Sequence, residues 1–307
     1  MKRRQFIRTS MGAGFAAGAA IAFGNLNKLF AGPNPPAGLP YDLVAVRNGE
    51  PAAMFDKAIA SLGGMESFVK PGQKVVVKPN IGWDVSPERA GNTNPELIGR
   101  IVEHCKNAGA SDVYVFDNTC DEWNKCYQSS LIEPMAKNAG AKVVPGNTDK
   151  FYREVDVPKG KKLKNARVHE AILDSDVFIN VPVLKHHSSA DLSIAMKNLM
   201  GIVWDRKFWH RNDLHQCIAD FCTFRKPDLN VIDAYRVMMQ NGPRGVSVED
   251  VVTFKTQIIS PDIVAADAAA AKVFGSEPED ISYILKGAEL GVGTYKLDEL
   301  NINRIKM

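Results

Sequence analysis

The strongest constraint on this chain is a set of short apolar runs that do not alternate with polar residues. Residues 73–78 hold three consecutive valines, Val75, Val76 and Val77, and residues 176–184 are apolar almost throughout. A strand with one wet face alternates with period two, so an unbroken apolar run of strand length marks a strand covered on both faces. Further runs at 41–46, 112–116, 141–145, 229–232 and 251–259 also read as strands. Amphipathic stretches of helical length separate them at 51–62, 95–108, 129–139, 190–200, 213–224, 263–274 and 278–289, with Asn94 and Pro95 placed to start the second. Residues 298–305 add an edge strand, and the polar, Lys-rich residues 152–164 an exposed hairpin or excursion. This alternation predicts an α/β fold: a largely parallel sheet covered by helices on both faces, with a ligand cleft at the carboxyl ends of the strands. No internal repeat is visible, and residues 41–307 are read as a single α/β domain.

The N-terminal residues are of another kind. Lys2, Arg3, Arg4, Arg8 and Lys28 fall in the first 31 positions, which hold no acid. They account for the formal charge of +3, because the remainder carries 33 basic against 35 acidic residues. A near-neutral body lacks the basic excess that a phosphate backbone requires, so nucleic acid is not an expected partner. The apolar stretch 11–23 is too short to span about 30 Å of hydrocarbon as a helix, and no transmembrane span is expected in the mature chain. A charged start before a short, weakly hydrophobic run reads as an export signal. Arg3-Arg4-Gln5-Phe6 resembles the twin-arginine type, with Lys2 where Ser or Thr is usual. Residues 1–31 are therefore expected to be a signal peptide, cut after Ala22 or Ala31 with the later site favoured. Residues 32–40, rich in proline and glycine, read as an extended linker. The twin-arginine resemblance implies a periplasmic protein exported already folded, often around a cofactor loaded in the cytoplasm.

Ligands of open parallel sheets bind beyond the carboxyl ends of the strands, where helix N-termini and variable loops converge. Four strand ends here deliver polar groups: Lys78-Pro79-Asn80, Asp117-Asn118, Lys185-His186-His187, and Asp233. A lysine leaving a buried strand is desolvated, so it either shifts its pKa or holds an anion as a point charge. Lys185, His186 and Asp233 are accordingly the candidate catalytic groups, the last two as proton carriers. Lys78, Asn80 and Asp117, with Lys197 and Asn198 from the following helix, are the candidate cofactor-binding residues. Each alone also fits a turn or a cap. Their joint placement argues for one cleft with an anionic small molecule as ligand. Residues 204–210 mix aromatic and cationic side chains and read as a lid, a partner surface, or side chains wedged against the fold. The spacing of His186, His187, Asp205, His210 and His215 matches no standard zinc site, and no metal ligand set is assigned.

Five cysteines, at 105, 120, 126, 217 and 222, are an odd number for a fully paired exported chain. Cys120 and Cys126 either close a loop disulfide or stay as thiols. No C-x-x-C pair exists, which excludes a thioredoxin-type motif and an iron-sulfur run built from this chain alone. A dinucleotide fingerprint after a strand, a Walker-type loop, H-E-x-x-H and G-x-S-x-G are also absent.

Several further pieces carry a family resemblance. They are Val77-Lys78-Pro79-Asn80, Phe178-Ile179-Asn180-Val181-Pro182-Val183-Leu184-Lys185-His186, Met196-Lys197-Asn198-Leu199-Met200-Gly201, Val231-Ile232-Asp233, Asn241-Gly242-Pro243, Ser260-Pro261-Asp262 and Glu289-Leu290-Gly291-Val292-Gly293. With them, in order over nearly the whole body, the chain resembles a large bacterial and archaeal family catalogued as domain of unknown function 362. That resemblance brings no mechanism. It implies that some relatives carry an appended ferredoxin-like module with cysteine ligands for iron-sulfur clusters. This chain lacks those cysteines, so a metal or cluster would have to come from a redox partner protein or a separate cofactor. The expected function is an exported, redox-related enzyme or cofactor-binding protein with an anion-binding cleft. The alternatives are a non-catalytic periplasmic binding protein for an anionic ligand and a partner subunit of a membrane redox complex.

Overall fold

Val75, Val76 and Val77 are wholly buried, and they face two different cores. Val75 and Val77 join a cluster with Phe55 of helix Pro51–Ser61 and Ile98 of helix Pro95–Asn107. Val76 points the other way, into a cluster with Phe221 of helix Leu214–Cys222 and Val264 of helix Ile263–Phe274. Phe178 against Val177 and Ile179, and Ile232 against Val231, divide in the same manner. A sheet with helices on both faces needs apolar side chains in both directions, and this is why the runs do not alternate.

The computed structural model describes residues 38–307. The expected signal peptide and most of the linker lie outside these residues. The strands are β1 (Leu43–Arg47), β2 (Lys74–Pro79), β3 (Asp112–Val115), β4 (Lys142–Val143), β5 (Tyr152–Asp156), β6 (Asn165–His169), β7 (Val177–Val181), β8 (Val183–His187), β9 (Asp191–Ser193), β10 (Leu229–Met238), β11 (Val251–Ser260) and β12 (Ile302–Lys306). The main sheet runs β12-β1-β11-β10-β7-β2-β3-β4, with β8 beside β10 and β9 beside β8. Pairings from β10 through β7, β2 and β3 to β4 are all parallel, and β11 runs against both of its neighbours. The fold is therefore mixed α/β with a largely parallel sheet. β12 closes one edge, parallel to β1. Among the described residues, no helix is long and apolar enough to cross a membrane.

Local expectations fail where a side chain or a tertiary bond intervenes. The helix expected over 129–139 becomes Trp123–Ser129 and Ile132–Asn138, because Leu131 adopts φ 58° between them. The apolar run 176–184 is two strands broken at Pro182, which has no N–H for a ladder. The helix expected over 190–200 is instead β9, a single turn at Ala195–Asn198 and a tighter turn at Leu199–Ile202. The expected hairpin is wider than 152–164, its arms being β5 and β6. The strand expected to stop at Ile232 continues to Met238, paired to β8 and β11, with an irregularity between Ala234 and Arg236.

Candidate functional site

The chemistry is organised around buried amines at the carboxyl ends of β2 and β8. Lys78 and Lys185 are 0% and 1% exposed, too deep to be left unpaired. Lys78 Nζ lies 2.9 Å from Asp117 Oδ1 and donates to Asn198 Oδ1 (2.9 Å) and to the carbonyl of Pro79 (2.6 Å). Asp117 Oδ1 has no well-angled hydrogen bond, so its attraction to Lys78 is coulombic, while Oδ2 accepts from the N–H of Ile81 at 2.7 Å. Asn198 is shared: Oδ1 also accepts from Asn80 Nδ2 (3.2 Å), and Nδ2 donates to Asn180 Oδ1 (2.8 Å). Asn80 Oδ1 in turn accepts from Lys185 Nζ (2.9 Å), which also donates to the carbonyl of Gly91 (2.5 Å). Five of the sequence-derived candidates, Lys78, Asn80, Asp117, Lys185 and Asn198, thus form one continuous network.

Above the network lies a cavity of about 450 Å³. Lys185, Lys197, Arg206 and Lys207 line it, and Asp117, already bound to Lys78, is the one carboxylate in its wall among the described residues. The cavity is thus rich in positive charge that no wall carboxylate balances. Burial, with the charges of Lys197 and Lys78 added, pulls the Lys185 ammonium down to about 7, partly offset by Cys120 and Asp117. Burial likewise lowers Lys197 to about 8. Arg206 is held in place by the carbonyls of Asn118 (2.8 Å) and Thr119 (2.7 Å), which orient the guanidinium without cancelling its charge.

Two of the candidates stand elsewhere. His186 does not line the cavity; its Nδ1 accepts from the N–H of Gly242 (3.1 Å) and fixes the turn after β10. His187 does line it, because side chains two apart on β8 share a face and Lys185 sets which face that is. Its Nδ1 accepts from the N–H of Ser189 (3.1 Å), leaving Nε2 as the donor. Burial, with the charges of Lys197 and Lys185, pushes it down to about 2, so the ring is neutral. Asp233 is not at a strand end, since β10 runs past it. Its carboxylate accepts from the N–H groups of Asn94 (2.7 Å) and Tyr235 (3.1 Å) and anchors the start of helix Pro95–Asn107, away from the cavity wall. Arg206, Lys207 and His210 also line the cavity. Their signal in the sequence is the mixed aromatic and cationic composition of 204–210, and for His210 also the histidine spacing that fits no zinc site.

Gly201 shows why the turn after Asn198 needs a glycine. A Cβ there would run into Asp117 Oδ1 and come within 2.6 Å of Lys78 Nζ. Gly201→Ala is expected to split the Lys78–Asp117 pair and lower stability by about 1–3 kcal/mol or more. An unchanged urea midpoint would show that the network yields without cost.

An iron-sulfur centre of the kind implied for relatives does not fit these residues. All five thiols are free, and Cys105, Cys126, Cys217 and Cys222 are buried while Cys120 alone reaches the cavity wall. Burial pushes Cys105 and Cys126 up to about 12, far from the thiolate such a cluster needs. Among the described residues, no three His, Cys, Asp or Glu side chains converge to hold a metal ion.

The network and its cavity fall inside a stretch with known relatives. Residues 75–272 match the family model described as domain of unknown function (DUF362). The chain belongs to that family. The matched DUF362 span opens in β2, three residues before Lys78, and includes all the network residues and the cationic cavity wall. The chain is also 24% identical over 252 residues to a thylakoid-associated protein of Synechocystis sp., covering 80% of this chain and 76% of that one. Among solved structures it is similar to the lactate racemase apoprotein from Thermoanaerobacterium thermosaccharolyticum, with a TM-score of 0.44 and 12% identity. That alignment takes in 80% of this chain and 56% of the racemase, so the chain spans little more than half of that protein's length.

Proposed function

We propose that this DUF362 member is an exported protein that binds a small carboxylate or phosphate in the cavity above Lys78 and Lys185. One observation carries the reading: four cationic side chains share a wall whose only carboxylate, among the described residues, is already paired to a buried lysine. Lys185 is buried and Lys197 and Arg206 are half-buried; holding such cations out of water without a counterion is unfavourable, and an anionic ligand relieves that cost. Ser188, Ser189, Ser193 and neutral His187 add hydrogen-bonding groups that orient a ligand once its charge is held.

Inorganic phosphate and succinate serve as probes in a thermal-shift titration. Saturable stabilisation by at least one is expected. Lys197→Met should weaken it about 10- to 100-fold, the worth of one hydrogen bond to a charged group at about 1.5–3 kcal/mol. No shift with either anion would remove the reading.

Export rests on Arg3 and Arg4 ahead of the short apolar run 11–23. Residues 1–40 placed before a reporter that folds in the cytoplasm should carry it to the periplasm, and Arg3→Lys with Arg4→Lys should leave it behind. Equal export of both fusions would rule out the twin-arginine route. A redox role would enter through a bound cofactor or a partner, and an absorption spectrum of the natively exported protein tests it.

A further inference from the structure

The cavity and the network beneath it hold lysines in three different states. Lys78 is spoken for by Asp117, Asn198 and Pro79, and Lys185 by Asn80 and Gly91. Lys207 is exposed to solvent at the rim. Lys197 differs from all three. It lines the cavity, yet among the described residues its amine has no hydrogen-bond acceptor and no ion-pair partner. The charged groups around it are Arg206, Lys78, Lys185 and Asp117, with the side chains of Cys120 and His210 and the neutral ring of His187 in the same wall. Asp117 is committed elsewhere, so no carboxylate holds the Lys197 proton in place.

An amine in that setting has a lone pair to offer. A free lysine is a poor nucleophile because its proton occupies the lone pair; desolvation beside other cations releases it. Burial and the neighbouring positive charges act on Lys197 in this direction, and its pKa is lowered to about 8.

We propose that Lys197 forms an imine with the carbonyl carbon of a 2-oxo acid whose carboxylate is held by the cavity cations. This rests on the anion-binding reading and names its ligand class. The nitrogen lone pair of Lys197 attacks the carbonyl carbon, a C–N bond forms, and the carbonyl π pair moves to oxygen. His210, whose pKa burial and Lys197 both lower, takes the extra proton from the nitrogen of this adduct and returns it to the oxygen to give a carbinolamine. The remaining nitrogen pair expels the hydroxyl, which leaves as water with a further proton drawn from solvent. The product is a protonated imine, with no change of oxidation state. Lys185, Arg206 and Lys207 supply the charge for the carboxylate.

The test uses the full chain with pyruvate and sodium borohydride, which reduces an imine to a stable secondary amine. Peptide mass spectrometry is expected to place one reduced pyruvyl group on the peptide carrying Lys197, with labelling lost in Lys197→Met. Lys197→Arg, which keeps the charge, should also lose it and covers the case in which Lys197→Met does not fold. Phosphate stabilisation of the unmodified protein is measured alongside. Stabilisation by phosphate without labelling overturns the imine and leaves the anion site standing. Neither response overturns both. Labelling spread over exposed lysines, or persisting at other peptides in Lys197→Arg, overturns the imine. Labelling confined to Lys197 supports it, with or without a phosphate response.

Discussion

Lys78→Met is expected to lower the unfolding free energy by about 3–5 kcal/mol, the cost of leaving one member of a buried ion pair without the other. Both side chains are almost wholly out of water, at 0% and 2% exposure. Without the ammonium, Asp117 keeps one hydrogen bond, from the N–H of Ile81, to compensate a buried negative charge. Asn198 Oδ1 and the carbonyl of Pro79 lose a donor at the same time. The double variant Lys78→Met with Asp117→Asn should recover much of the loss, because an asparagine oxygen still accepts from Ile81 and carries no charge. Urea unfolding of the two single variants and the double gives the coupling directly. Additive losses would mean that the pair does not act as a unit.

The second large effect is expected at a residue that never touches the cavity. Asp267, in helix Ile263–Phe274, is fully buried, and its two oxygens accept from the N–H groups of Ala195 (2.7 Å) and Met196 (3.0 Å). Those bonds start the single turn that carries Lys197 and Asn198. Burial pushes the Asp267 carboxyl up to about 8, while the two N–H donors favour its charged form. Asp267→Ala orphans two buried donors, and each costs about 1–3 kcal/mol. A total loss of about 2–6 kcal/mol is expected, with weaker phosphate stabilisation because Lys197 and Asn198 lose their anchor. Asp267→Asn keeps one acceptor and should fall between the two. Full anion binding in a destabilised Asp267→Ala protein would show that the turn is held by other contacts.

Much of the architecture could be read from residue patterns. Three consecutive valines in β2, and apolar residues facing both ways in β7, are properties of residue order, and the two cores follow from them. Lys78, Asn80, Asp117 and Lys185 could be placed near one another because each follows or ends a strand of the same parallel sheet, and parallel strands present one end together. Asn198, the hub between the two lysines, was in view as a neighbour of Lys197, although the helix expected to carry it is only one turn long.

Residue order alone also determined the family kinship, and it carries the proposal of export. Tertiary structure decided which polar groups meet. Asp233 looked like a strand end because its polarity interrupts an apolar run, but partners on both sides extend β10 through it, and the start of a distant helix takes its carboxylate. His187 rather than His186 reached the cavity because a strand has two faces and pairing sets which one looks inward. The turn bearing Lys197 exists in its present form because Asp267, 70 residues after it, satisfies N–H groups that no nearby side chain reaches. Hydrophobic periodicity is written along the chain, whereas the partner of a buried charge depends on what folding brings beside it.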